Sequence, residues 1–315
     1  MVDFDRELAE SSAKRLRDCR QGLNGGGSVV RGWEPSHQEM AALLQTPPED
    51  IAGVVARLKQ LQLIFDSLPP SPGNNRVAAF NSLYTTITEQ VAEHLRGPDV
   101  TDARWLEVLD VEFARLYFTA LGSWGGLSPD TPDAWEVLFR RAHDGEVTAL
   151  EAAVLGVNAH INHDLALALV ATWKRLGYPG DGPQHPDYLV VNKIFYKHIP
   201  PLRRRFATAW QMEIDRCVGE LDDWSQRVLV RTTRALAWEQ AERLWDLRED
   251  EDDLARACTV MDRVAAMAGE TLLTGVGIVK VLWLTATAMA KSLWRRTLVS
   301  VGASRPRPRP AQISD

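Results

Sequence analysis

The segment 150-LEAAVLGVNAHINHDLALALVATW-173 is apolar on nearly every side at helical periodicity. A helix of that kind cannot lie on a surface, because it has no polar face to give to water. It must be a central helix surrounded by others, and this sets the fold class: all-α, a single multi-helix domain with a buried central helix. Five polar residues interrupt it: Asn158, His160, Asn162, His163 and Asp164. At 100° per residue, His160, His163 and Asp164 share a sector about 100° wide, and Asn158 and Asn162 stack on another side. Leaving such groups buried without partners costs one to several kcal/mol each, roughly, so each needs a partner or a cavity.

Outward from this segment the same period recurs, and strand signals are nearly absent. Thr46-Pro-Pro-Glu49 has the form of a capping box opening a helix through about Phe65. Further helices are expected over Arg76–Leu95, from Thr101-Asp102 to about Leu121, over Pro132–His143 and over Val147–Leu176. Beyond the Gly177–Pro186 loop, helix is expected over Tyr188–Ile199 and again from Pro201 to about Leu221. Asp222–Leu247, Asp253–Ala268 and an apolar run from Thr271 to Ala290 complete the series. Residues 1–29 read as a charged helix followed by a flexible glycine link at Asn24–Ser28. Residues 30–300 form the helical domain, and 301–315, with Arg305-Pro-Arg-Pro-Arg-Pro310, form a disordered tail.

Composition narrows the function. The formal charge of −6 disfavours nucleic acid as a partner. Cys19, Cys217 and Cys258 are scattered and odd in number, which fits reduced thiols in a cytoplasmic setting. The acidic, polar stretch Met1–Leu8 does not have the form of a signal peptide. Thr271–Ala290 is long enough to cross a membrane but carries Lys280, whose insertion costs about 3 kcal/mol, so a buried or partner-facing helix is the favoured reading. The oligomeric state is left open. There is no G-x-G-x-x-G, P-loop, G-x-S-x-G or H-E-x-x-H pattern, and no nucleotide cofactor is expected.

The polar set of the central helix supports three chemistries. His160 and Asp164, at i and i+4, suit an acid–base dyad in which the carboxylate orients the imidazole. His160, His163 and Asp164 also suit a divalent metal such as zinc or iron. The third reading is a hydrogen-bonded network that knits helices together. Partners are expected from polar residues on other apolar helix faces. Tyr84 shares a face with Asn81 and Thr88, Asp110 interrupts WLEVLDVEFARLYF, and Glu242 lies between Trp238 and Trp245. Asn158 and Asn162 would position substrate or neighbouring backbone. An ion pair of Asp110 with Arg115 is an alternative use of that carboxylate. Trp105, Trp210, Trp238 and Trp245 read as core filling. The run Glu249–Asp253 reads as acids favouring a helix N-terminus, more than as a magnesium site.

FNSLYTTITEQV, LDVEFARLYFTAL, VNAHINHDLALAL and AWEQAERLW, in that order, resemble an actinobacterial all-helical family known chiefly as a domain of unknown function. The resemblance spans roughly Val77 to Leu273. The family motif Asn-x-His-Ile-Asn-x-Asp-Leu corresponds to Asn158, His160, Ile161, Asn162, Asp164 and Leu165. It implies a helical fold and draws attention to the Asn/His/Asp set, and it places His163 at a variable position, which weakens the three-ligand metal reading. The Thr271–Ala290 helix and the Arg-Pro tail extend past the family's usual end. The expected function is that of an enzyme of specialised metabolism acting on a small, largely apolar molecule by hydrolysis, cyclisation or isomerisation. His160 would be its acid/base, oriented by Asp164. A metal-dependent hydrolase and a non-catalytic binding or scaffold protein are the alternatives.

Overall fold

A computed structural model describes residues 36–68, 74–126, 130–178, 182, 185–197 and 223–273. Among these there are helices and turns and no strand. The helices are α1 (His37–Leu44), α2 (Ile51–Ser67), α3 (Asn74–Leu95), α4 (Ala103–Gly125), α5 (Asp133–His143) and α6 (Ala149–Ala159). A π-helical turn, His160–Asp164, joins α6 to α7 (Leu165–Leu176). After them come α8 (residues 186–197), α9 (Asp223–Asp246) and α10 (Glu251–Leu272).

Local chemistry sets most of the boundaries. The α2 N-terminus differs from expectation: Asp50, not Thr46, is the cap, and its Oδ1 accepts from the Gly53 N–H at 2.7 Å. A side chain one residue before the helix satisfies an orphan donor that Thr46 is too far upstream to reach. The capping box forms instead at the start of the central helix. There Thr148 Oγ1 accepts from the Glu151 N–H, and Glu151 Oε2 accepts from the Thr148 N–H. Asp102 caps α4 through the Trp105 N–H, and Asp250 caps α10 through the Asp253 N–H. The acidic run before α10 is thus a helix start, as its position implied. Gly177, at φ 91°, ends α7 in a conformation open to glycine.

The continuous rod Glu151–Leu176 is apolar and long enough to cross a membrane, but 78% of its apolar 18-residue stretch is buried inside the protein. The expected Thr271–Ala290 helix lies outside the described residues beyond Leu273, as do Trp210, Cys19, Cys217 and both chain ends. Cys258 is a free, half-buried thiol.

Two apolar cores meet along the central rod. The first is built by α1, α2, α3, the C-terminal half of α4, α5 and α6, with Ala265 and Ala266 of α10. The second gathers the N-terminal half of α4 with α7, α8, α9 and Met261 of α10. Val157 packs against both. Close approach of α3 to α6 depends on Gly156: a Cβ there would lie 2.8 Å from Phe80 Cβ and closer still to its ring. Trp105, Trp135, Trp173 and Trp238 are all buried in these cores, in the packing role expected of tryptophan.

Candidate functional site

The π-helical turn sits where the two cores meet, with the Leu165 N–H reaching back five residues to the His160 carbonyl. Such turns insert one residue into an otherwise α-helical rod and occur often at functional sites. The widened turn places His160, His163 and Asp164 together, as their spacing implied, and buries all three. Asp164 is the hub. Its Oδ2 accepts from His160 Nδ1 at 2.9 Å and from the Trp135 indole N–H at 3.0 Å. Its Oδ1 lies 2.7 Å from His163 Nδ1. Trp135, which the sequence reading did not single out, thereby fixes the carboxylate.

Burial alone would raise the Asp164 pKa. The hydrogen bonds from His160 and His163, and then the charge of the His163 ring, more than reverse this and hold it below the usual carboxylate range. The two histidines diverge. Burial lowers His160, and this outweighs the opposing hydrogen bond and charge of Asp164; charge on His163 pushes the same way as burial. Burial also opposes the charged form of His163, but Asp164 and then Asp262 and Asp133 raise it overall. His163 Nε2 stands 3.9 Å from Asp262 Oδ1. Asp262 in turn accepts the Asp133 and Ala134 N–H groups at the start of α5, at 2.8 and 2.9 Å. The resulting order of charge is a cationic-leaning His163, an ionised Asp164 and a neutral His160.

A neutral His160 whose Nδ1 hydrogen donates to Asp164 carries its lone pair on Nε2. That nitrogen is buried and has no hydrogen-bond partner among the described residues. The ring is held flat against Phe113, with centroids 3.5 Å apart and planes 10° from parallel, and Tyr84 meets it edge-on at 4.5 Å. His160 forms part of the wall of a cavity that also contains Tyr84, Asp110, Phe113 and Arg234. Its interior offers about 40 Å³ to the centres of water-sized molecules. This corresponds to roughly three waters, or a short ligand chain.

The cavity wall explains why Asp110 and Tyr84 stood out. Phe80, Leu83, Tyr84, Ile87 and Val91 follow one stripe of α3, and Leu106, Leu109, Asp110 and Phe113 follow one stripe of α4. Asp110 is buried, and its Oδ2 has no hydrogen-bond partner among the described residues. Burial, reinforced by the like charge of Glu107, pushes its pKa up to about 7. Arg115 does not pair with it: Arg115 pairs with Glu112, which Arg175 also reaches at 2.9 Å. Burial likewise raises the Tyr84 phenol well above its ordinary range, and the charges of Asp110 and Asp164 add to this. Tyr84 Oη and Thr88 Oγ1 are neighbours, but neither makes a well-formed hydrogen bond.

The other expected residues stand elsewhere. Asn158 Nδ2 donates to the Ala265 carbonyl at 2.8 Å, and Asn162 Nδ2 donates to Asn158 Oδ1 at 2.9 Å. The pair ties the rod to α10, so of its two expected uses the one visible here is holding neighbouring backbone. Glu242 accepts from the Tyr178 hydroxyl at 2.9 Å and from the Trp238 indole N–H at 3.2 Å, and it is not part of the cavity wall. As metal ligands, His160 and His163 direct Nδ1 onto the Asp164 carboxylate, not toward a common external point. Among the described residues no group of three His, Cys, Asp or Glu side chains is arranged to hold a metal ion.

A family model matches residues 51–275, which takes in every element from α2 to α10 together with the whole of this site. The chain belongs to DUF5995, a family of unknown function. No match is found among curated proteins or among solved structures.

Arg234 is the wall residue that sequence reading missed. It lies on the stripe Arg234, Ala237, Trp238, Ala241 and Leu244 of α9, all of them buried. A charge at the head of such a stripe is the signal that could have revealed it.

Proposed function

We propose that the chain is an enzyme acting on a small, largely apolar molecule, with His160 as its acid/base and Asp164 as the group that orients it. The observation that carries this reading is the asymmetry of one ring. His160 Nδ1 is held by an ionised carboxylate, whereas Nε2 is left unpaired on the wall of an apolar cavity. A purely structural histidine would be expected to use both nitrogens, since an unsatisfied buried nitrogen costs about 1–3 kcal/mol. Retaining that cost is reasonable where a substrate proton takes the vacant position. Asp110 supports the same reading, because an acid with a pKa of about 7 exchanges a proton readily near neutrality. His160 and Asp110 would then serve as base and acid on one bound molecule, in a hydrolysis, cyclisation or isomerisation. The setting we infer with it is the cytoplasmic specialised metabolism of an actinobacterium, supported by the family resemblance and the free thiol of Cys258.

The test pairs turnover with stability. Wild type, His160→Gln and the core control Leu169→Ala are melted and assayed against a panel of small esters, lactones and isomerisable enones. The reading expects His160→Gln to melt within a few degrees of wild type while turnover falls at least about a hundredfold, the range of general acid–base catalysis. Retained turnover in His160→Gln would sink it. So would a melting loss as large as that of Leu169→Ala, because His160 would then be a structural residue.

A further inference from the structure

One of the unsatisfied polar groups on the cavity wall is a cation. Arg234 is only 3% exposed. Its Nη2 donates to the Tyr188 carbonyl at 3.0 Å, and its guanidinium carbon lies 4.2 Å above the centre of the Tyr188 ring. The Tyr188 hydroxyl donates back to the Arg234 carbonyl at 2.6 Å, so the two residues clamp each other. Among the described residues that clamp leaves the charge itself unanswered. Arg234 has no ion pair among the described residues, and its Nε, buried, has no hydrogen-bond acceptor. Asp110, the acidic residue on the same wall, does not pair with it either.

A guanidinium remains charged at any pH the protein meets, so it cannot escape burial by losing a proton. Removing it from water without a counter-charge costs several kcal/mol, more than a carbonyl and one aromatic face return. The tyrosine contacts hold the side chain in place, yet the planar fork of donors suits a carboxylate. The rest of the wall is apolar apart from His160, Asp110 and Tyr84, which limits the ligand to one anionic end on a short hydrocarbon body.

We infer that the cavity binds a small apolar molecule bearing a carboxylate, with Arg234 as its anion anchor and the hydrocarbon part extending between α3 and α4. The inference deepens the proposed function by naming the chemical class of its substrate, and it rests on the same cavity. It also assigns a division of labour: Arg234 holds the unreactive end, and His160 and Asp110 face the part that changes.

The test compares butanoate and hexanoate with butanamide and hexanamide, which share their shapes but lack the charge. Binding to the full-length protein is measured by calorimetry and by NMR, with wild type, Arg234→Met and His160→Gln side by side. Wild type is expected to bind each acid at least tenfold more tightly than its amide. Arg234→Met, which keeps the stem and loses the charge, should lose that preference, whereas His160→Gln should keep it. Equal binding of acid and amide by wild type overturns the inference, whether or not Arg234→Met folds. Retained preference in a folded Arg234→Met overturns it as well. Because the readout is binding, it separates this inference from the catalytic reading. A carboxylate preference intact in a His160→Gln variant that also keeps its turnover would leave the anchor standing and remove the acid/base.

Discussion

Titration of Asp110 has a large expected consequence for folding. Its carboxyl pKa of about 7 in the folded chain lies well above the value it returns to on unfolding. Between about pH 4 and pH 7 the folded protein therefore keeps a proton that the unfolded chain has released. The contribution of Asp110 is fully present below that window and is lost as pH rises through it, by on the order of 4 kcal/mol at most. Asp110→Asn cannot titrate, so its stability relative to wild type should increase from pH 5 to pH 8. Urea unfolding at the two pH values measures this, and parallel pH dependence of the two proteins would rule it out. The sequence made Asp110 and Tyr84 legible because each is a polar residue on an otherwise apolar stripe. Arg234 escaped notice because Arg231, Thr232 and Thr233 precede it and make the segment look like a solvated face. Glu242 misled in the opposite way. Its flanking tryptophans do pack inward, but its carboxylate meets Tyr178 and Trp238 away from the cavity.

At the scale of elements, most helices follow from apolar spacing and end signals, and their limits agree with expectation to within a few residues. The departures have local causes. Thr46 and Thr148 each stand three residues before a glutamate, but α2 starts only at Ile51, beyond both Thr46 and Glu49, so the box forms at Thr148 alone. The π-helical turn was not legible, because projecting a helix at a constant 100° per residue presupposes that no such turn exists. The contact of α3 with α6 yields the next prediction. Gly156→Ala places a methyl group inside the volume of the Phe80 ring, and Phe80 itself packs edge-on against Tyr117 and His160. Overpacking at such a position costs about 1–3 kcal/mol. We expect Gly156→Ala to lower the melting temperature by several degrees, and a neutral result would mean that α3 and α6 separate more easily than their packing indicates.

For the molecule as a whole, the two cores share their central rod, and the polar cluster lies on the seam between them. Neither core is closed without the rod, and Val157 belongs to both. Unfolding should therefore be a single cooperative transition. Trp135 lies in the first core and Trp238 in the second, so 5-fluorotryptophan NMR can follow both in one denaturant titration. Their native resonances should vanish at the same midpoint, and two separate midpoints would show that the halves fold independently. What the whole-molecule view adds to the sequence reading is location. An apolar rod with five polar residues announces a buried site, but only the assembled helices show that His160 borders a cavity while Asn158 and Asn162 tie the rod to α10.

The wide turn between α6 and α7 also acts as a phase shifter. Each residue added to or removed from a helical rod rotates everything beyond it by about 100°. The faces of α6 are aligned to one core and those of α7 to the other, and the offset between them is absorbed inside His160–Asp164. Deleting a single residue from that turn would let the rod close into an unbroken α-helix that keeps Leu169 and Trp173 near their present faces, because the wide turn already absorbs the extra residue, yet it would pull His160, His163 and Asp164 out of their arrangement. The five residues that hold the candidate chemistry are thus also the ones that keep the two halves of the rod in register. A lineage could shorten the turn and keep the rod in register, but the arrangement of His160, His163 and Asp164 would go with the lost residue.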